Sequence, residues 1–156
     1  MKRCLASPAS WLLAIPVGFW GWHHERRILR TGRELTPEEL ADASAVGVVA
    51  PERLRVLPVE RVPNPFDRVS GLVAKLTGYS IFNPAGMTLR YGVFTVDALE
   101  HDRGLLAHEF VHVAQYERFQ MFGFMRRYIF QCLADGYLEA PMEIEARELS
   151  DRLLEA

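Results

Sequence analysis

The stretch LLAHEFVHVAQYER, residues 105–118, puts two histidines four positions apart, with a glutamate directly after the first, in a run otherwise dominated by apolar side chains. A helix makes sense of this pattern. Residues i and i+4 lie one above the other, so His108 and His112 project their imidazoles from one side, while Leu106, Phe110, Val113 and Met121 supply an apolar back. Two imidazoles so placed form half of a tetrahedral cation site. Glu109, about 100° further round the helix, stands close enough to such a cation to hold a water and accept its proton. This is the HExxH arrangement, in which zinc lowers the pKa of its water to about 7 and the glutamate acts as general base. The competing reading, a pair of core histidines, requires each ring to find an internal hydrogen-bond partner.

Any metal here must be held by histidine and carboxylate. The chain has two cysteines, Cys4 and Cys132, far apart and without CxxC spacing, which suggests neither a disulfide framework nor a thiolate zinc site. With 156 residues, 49% hydrophobic and 24% charged, it has the length and composition of one globular domain with a real core. Charge is uneven: the first 34 residues carry six Lys/Arg against two acids, and residues 138–156 carry six acids against two Arg. That distribution argues against a nucleic-acid-binding face.

The N-terminus opens with MKR, holds no charge from Cys4 to Trp22, and then runs into HHERR. Its strictly apolar part, Trp11 to Trp22, is 12 residues long, against the ~20 that a membrane-spanning helix needs. Residues 1–25 therefore read as a Trp-rich arm before a domain over 26–156. The arm either packs on the core or makes membrane-surface contact, since indole rings beside His23, His24, Arg26 and Arg27 suit the headgroup region. The expected location is correspondingly cytoplasmic or membrane-associated.

Further along, LTPEELADASAVG predicts a short helix, with Thr36 as N-cap, Pro37 at the first helical position, Glu39 closing a capping box and Gly47 at the stop. ERLRVLPVERV alternates as a strand weakened or ended at Pro58. VPNPF and NPAG read as turns, and DRVSGLVAKLTGYS, residues 67–80, as an amphipathic helix. MTLRYGVFTV reads as one strand with a kink at Gly92. GFMRRYIFQCLADGY predicts a second helix after the histidine helix, with Phe124, Tyr128 and Cys132 on one stripe read as core and Arg126 and Arg127 on a solvated face.

A catalytic zinc site needs a third protein ligand and one open position. VAQYERFQ, after His112, lacks the further histidine of the HExxHxxGxxH pattern. His23, His24 and His101 remain, together with the acids of APMEIEARELSDRLLEA, where Pro141 opens a helix and Met142, Ala146, Leu149 and Leu153 form its stripe. Glu143 and Glu145 flank that stripe about 160° apart, so one helix cannot present both to one metal. Spacing alone does not choose between them.

HExxH followed some thirty residues later by a glutamate-bearing helix resembles the gluzincin clan of zinc metallopeptidases, in which that glutamate is the third ligand, often in the pattern ExxA followed by an aspartate. The resemblance implies Glu143 as the ligand, with Ala146 three residues on. Arg147 stands where the aspartate is found, so a ligating histidine has to be oriented by another group. RGLLAHEFVHVAQYERF, GYLEAPMEIEAR and MTLRYGVF together resemble a group of small bacterial zincin-like domains over most of residues 26–150. Residues and resemblance together imply an α+β, zincin-like domain, a small mixed sheet packed against helices that include the HExxH helix and a C-terminal glutamate helix. Such a domain binds Zn2+ through His108, His112 and Glu143 and hydrolyses a peptide or protein substrate with Glu109 as general base. The rival expectation is a zinc-stabilised binding or scaffold module without turnover, which a plugged fourth position or a fourth protein ligand favours.

Overall fold

The computed structural model describes residues 2–65 and 84–156. Among these residues the chain is mixed α+β: α1 (Lys2–Thr31), α2 (Pro37–Ala45), β1 (Arg55–Val59), β2 (Gly86–Leu89), β3 (Gly92–Val96), α3 (Arg103–Asp135) and α4 (Pro141–Glu155). The helix expected over residues 67–80 lies outside the described residues.

Local rules account for most boundaries. Thr36 accepts from the Glu39 amide while the Glu39 carboxylate accepts from the Thr36 amide, so the capping box that the sequence predicts does open α2. Asp102 caps α3 through Leu105 N at 2.7 Å, and Gly136, at φ 93°, closes it. Pro141 begins α4, as its fixed φ favours.

Two strand expectations are corrected. β1 continues through Pro58 to Val59, which its place at the sheet edge permits, because an edge proline forfeits no obligatory ladder bond. MTLRYGVFTV is a hairpin rather than one kinked strand: β2 and β3 pair antiparallel, Met87 opposite Phe94 and Leu89 opposite Gly92. The turn puts Arg90 at φ 59°, a conformation usually signalled by Asn or Gly, so the sequence gives no cue for it. The sheet is mixed, in the order β1-β3-β2, with β1 parallel to β3.

The sheet's two faces feed two apolar clusters. Val56 and Val93 join Phe110 and Val111 of α3, whereas Leu89 and Phe94 join Ile28 of α1 and Tyr116, Met121 and Phe124 of α3. Gly18 lets α1 approach α3 closely, since a Cβ there would fall 2.6 Å from the Phe122 ring.

α3 is broken at Gln120, whose φ of 58° and ψ of 170° are not helical. The two helices read from the sequence are thus the two halves of one long element. The break redirects the second half so that Phe124 stacks between Tyr116, at 3.6 Å, and Tyr128, at 5.4 Å. That backbone region is essentially glycine's and costs about 1–3 kcal/mol for other residues. Gln120→Gly is therefore expected to raise the melting temperature by a few degrees, at about 2–4 °C per kcal/mol for this size. A calorimetric scan showing no rise would mean that the strain at the break does not exceed what glycine's chain entropy and the lost Gln120 Nε2 bond to Glu117 O cost.

Candidate metal centre

His108 and His112 lie one turn apart before the break in α3, and Glu143 lies in the first turn of α4. The packing of α3 on α4 brings them together. His108 Nε2 and His112 Nε2 are 3.2 Å apart, His108 Nε2 is 3.3 Å from Glu143 Oε2, and His112 Nε2 is 3.4 Å from Glu143 Oε1. Ligands bound at ~2.0–2.1 Å in a tetrahedron are about 3.3 Å from one another, so these separations are those of three ligands around one cation. Glu143 is 1% exposed. Its Oε2 has no hydrogen-bond partner among the described residues, and a buried carboxylate oxygen left unpaired is costly. A cation between the three side chains removes that cost, so the donor set fits a divalent metal.

The electrostatics agree. Burial pushes the Glu143 carboxyl up, but the His108 and His112 imidazoles and the Tyr128 hydroxyl outweigh it and hold the group well below the usual carboxylate range. Burial pushes His112 down, and Glu143, Glu109 and Gln115 reverse this to a net upward shift. The upward shift means that a proton on His112 and a metal compete for the same place beside Glu143. Metal binding must displace that proton.

Two of the three candidate ligands, His112 and Glu143, are each held by a further side chain. His112 Nδ1 lies 2.9 Å from Gln115 Oε1. Gln115 Nε2 donates at 2.9 Å to Met142 O and at 2.9 Å to Glu145 Oε2, both pure acceptors, which fixes the amide with its oxygen toward His112. Nδ1 therefore carries the proton and Nε2 is left to face the centre. Gln115, fully buried, thus orients His112, and it ties α3 to α4. Tyr128 Oη donates to Glu143 Oε1 at 2.6 Å, and burial together with the Glu143 charge keeps this phenol protonated.

Loss of an orienting group typically costs about 10–100-fold in metal affinity. We expect that loss for Gln115→Leu, measured by competition with a chromogenic chelator; unchanged affinity would show that His112 is oriented by something else.

Glu109 sits beside this centre, 5% exposed. Thr88 Oγ1 lies 2.6 Å from Glu109 Oε2 and 2.9 Å from Glu109 O; its single proton serves one of them at a time. A Cβ at Gly86 would fall 2.7 Å from Glu109 Oε1, so glycine is what lets β2 lie against the carboxylate.

The remaining acids and histidines point elsewhere. Glu145 accepts from both terminal guanidinium nitrogens of Arg118 at 3.0 Å, and of the two glutamates that spacing left open it is Glu143 that joins the group able to hold a metal. His101 lies near Glu39 and Glu100, and His24 packs against Trp20 and Phe94. Burial pushes the Cys132 thiol up to about 12, so it stays protonated. A cavity of about 620 Å³ opens between α2 and the start of α3, but Asp42 and Arg103 in its wall are paired with each other.

The i, i+4 stripe predicts Tyr128 as a core residue, whereas its hydroxyl donates to Glu143. Its i+4 spacing from Phe124 carries no sign of this. Gln115, three residues after His112 on the same helix face, could have been found, since i and i+3 side chains meet.

His108, His112 and Glu143 are thus one group able to hold a metal ion. No protein-family model, curated protein or solved structure matches the chain, so the geometry alone speaks for the site.

Proposed function

We propose that the chain is a zincin-like, zinc-dependent peptidase. The observation carrying this reading is the convergence of His108, His112 and a Glu143 oxygen that has no hydrogen bond, at ligand-to-ligand spacing, with the Glu109 charge acting on His112. Two imidazoles and one carboxylate are a donor set that suits zinc. When bound, zinc supplies Lewis-acid polarisation of a carbonyl and a water of lowered pKa.

The chain's own groups divide the remaining work. Glu109 takes the proton from the attacking water; when Thr88 donates to Oε2, Oε1 is the free acceptor. Gln115 and Tyr128 hold two of the ligands so that neither reorients during the reaction. Tyr137, part of whose side chain is exposed, has its phenol pushed up by burial and by the Glu143 charge. It stays protonated at neutral pH and donates toward Glu143, adding to the hold on that carboxylate.

A peptide suits this site because β2 is the outer strand of the sheet among the described residues and touches Glu109 through Thr88 and Gly86. An extended peptide adding to its open edge lies along the carboxylate. His108, whose side chain is 20% exposed, is the solvent-facing ligand, and the metal-holding group contains no fourth His, Cys, Asp or Glu among the described residues. An open position favours turnover over a purely structural metal. Zinc-loaded protein incubated with a quenched-peptide library tests the reading: cleavage is expected and should disappear with chelator, whereas intact peptides throughout would leave the binding or scaffold module as the better account.

A further inference from the structure

α1 shows two faces. Ser10, Ala14, Val17, Glu25 and Ile28 are buried, while Trp11, Leu12, Ile15, Phe19, Trp22 and Leu29 are exposed, Leu12 at 76% and Phe19 at 57%. At 100° per residue the exposed six fall within an arc of about 100°, so they form one stripe. Phe122 of α3 widens it, its ring centroid 5.5 Å from that of Phe19. Nothing among the described residues covers this stripe, and a contiguous apolar surface of this kind marks an interaction site.

Charge identifies the partner. The only acid in α1, Glu25, is buried, whereas Arg26, Arg27 and Arg30 are exposed along the last turns. Two arginines lie on the stripe's own indoles, Arg26 at 3.8 Å over Trp22 and Arg126 at 4.8 Å over Trp11. Indole, aliphatic side chain and guanidinium side by side are what a headgroup region accepts: rings at the interface, cations on phosphate. A second copy packing this same stripe against its counterpart would set the arginines against one another. No helix among the described residues is long and apolar enough to cross a bilayer, so α1 would lie along a membrane rather than through it.

We propose that α1 seats the protein on an anionic lipid surface through Trp11, Leu12, Ile15, Phe19 and Trp22, with Arg26, Arg27 and Arg30 on lipid phosphates. This proposal does not depend on the metal centre. All three tryptophans lie in α1, so tryptophan emission reports on this helix alone.

The test uses the full chain with vesicles of phosphatidylcholine, alone or with about 30 mol% phosphatidylserine, read by flotation and tryptophan emission. Flotation with the anionic vesicles and a blue shift are expected, with binding at least about tenfold weaker to neutral vesicles and reduced by salt. Arg27→Gln with Arg30→Gln should weaken binding on the order of 20-fold, at about fivefold per cation. Leu12→Glu with Phe19→Glu should abolish it while leaving helicity and metal binding unchanged. Equal binding to neutral vesicles, or none to either, would overturn the proposal. So would a concentration-dependent dimer that the glutamate variants disperse, or an emission already blue-shifted in the free monomer and unmoved by lipid.

Discussion

Glu143→Ala is expected to strip the protein of its metal, lowering affinity by more than about 100-fold, because removing a ligand should exceed the 10–100-fold cost of losing a group that only orients one. Glu145→Ala should leave one metal per chain, with affinity reduced by no more than about tenfold. The contrast follows from where the two carboxylates point. Glu143 lies 3.3 and 3.4 Å from the two imidazoles, whereas Glu145 is engaged by Arg118 and Gln115. Losing Glu145 still leaves Gln115 its bond to Met142 O, so His112 keeps its orientation. Elemental analysis of both variants decides the matter. Should alanine at 143 loosen the fold by leaving the Tyr128 hydroxyl without its acceptor, Glu143→Gln keeps the shape and still removes the charge. Metal retained in both 143 variants and lost in the 145 variant would reverse the assignment.

Glu109→Gln is expected to keep the metal at wild-type stoichiometry and to lower peptidase activity by about 10²–10⁴-fold, the usual worth of a positioned general base. Glutamine preserves the shape against Gly86 and can still accept from Thr88, so a loss of activity reports on proton transfer rather than on packing. Both metal content and turnover of a peptide cleaved by the wild type are needed. Full activity in a metal-loaded variant would remove Glu109 from the mechanism, and loss of metal would make it a structural group instead.

How far the sequence discloses these features depends on how local their causes are. Helix periodicity and the i, i+4 pair fix His108 and His112 on one face without any tertiary information, and the capping box and Pro141 set the starts of α2 and α4. The choice between Glu143 and Glu145 is different, because both positions satisfy the same helix and only the packing of α4 on α3 separates them. The hairpin at Arg90 and the break at Gln120 stayed hidden for a common reason. Each places a residue other than glycine at positive φ, and surrounding packing, not the residue itself, holds that conformation. Tyr128 reaches Glu143 only because the break at Gln120 redirects its helix, so its part in the site depends on a feature that local patterns do not encode. In α1 the sequence shows apolar residues nearly all round, and only the packed structure separates the face buried against α3 from the stripe left outside.

The most direct measurement is X-ray absorption at the zinc edge of protein loaded with one equivalent of zinc. Two imidazole nitrogens and a carboxylate oxygen at ~2.0–2.2 Å are expected, with one imidazole signal lost in His108→Ala and carboxylate coordination lost in Glu143→Gln. A spectrum dominated by sulfur, or one with no imidazole scattering that either substitution alters, would contradict a cation held between these two helices.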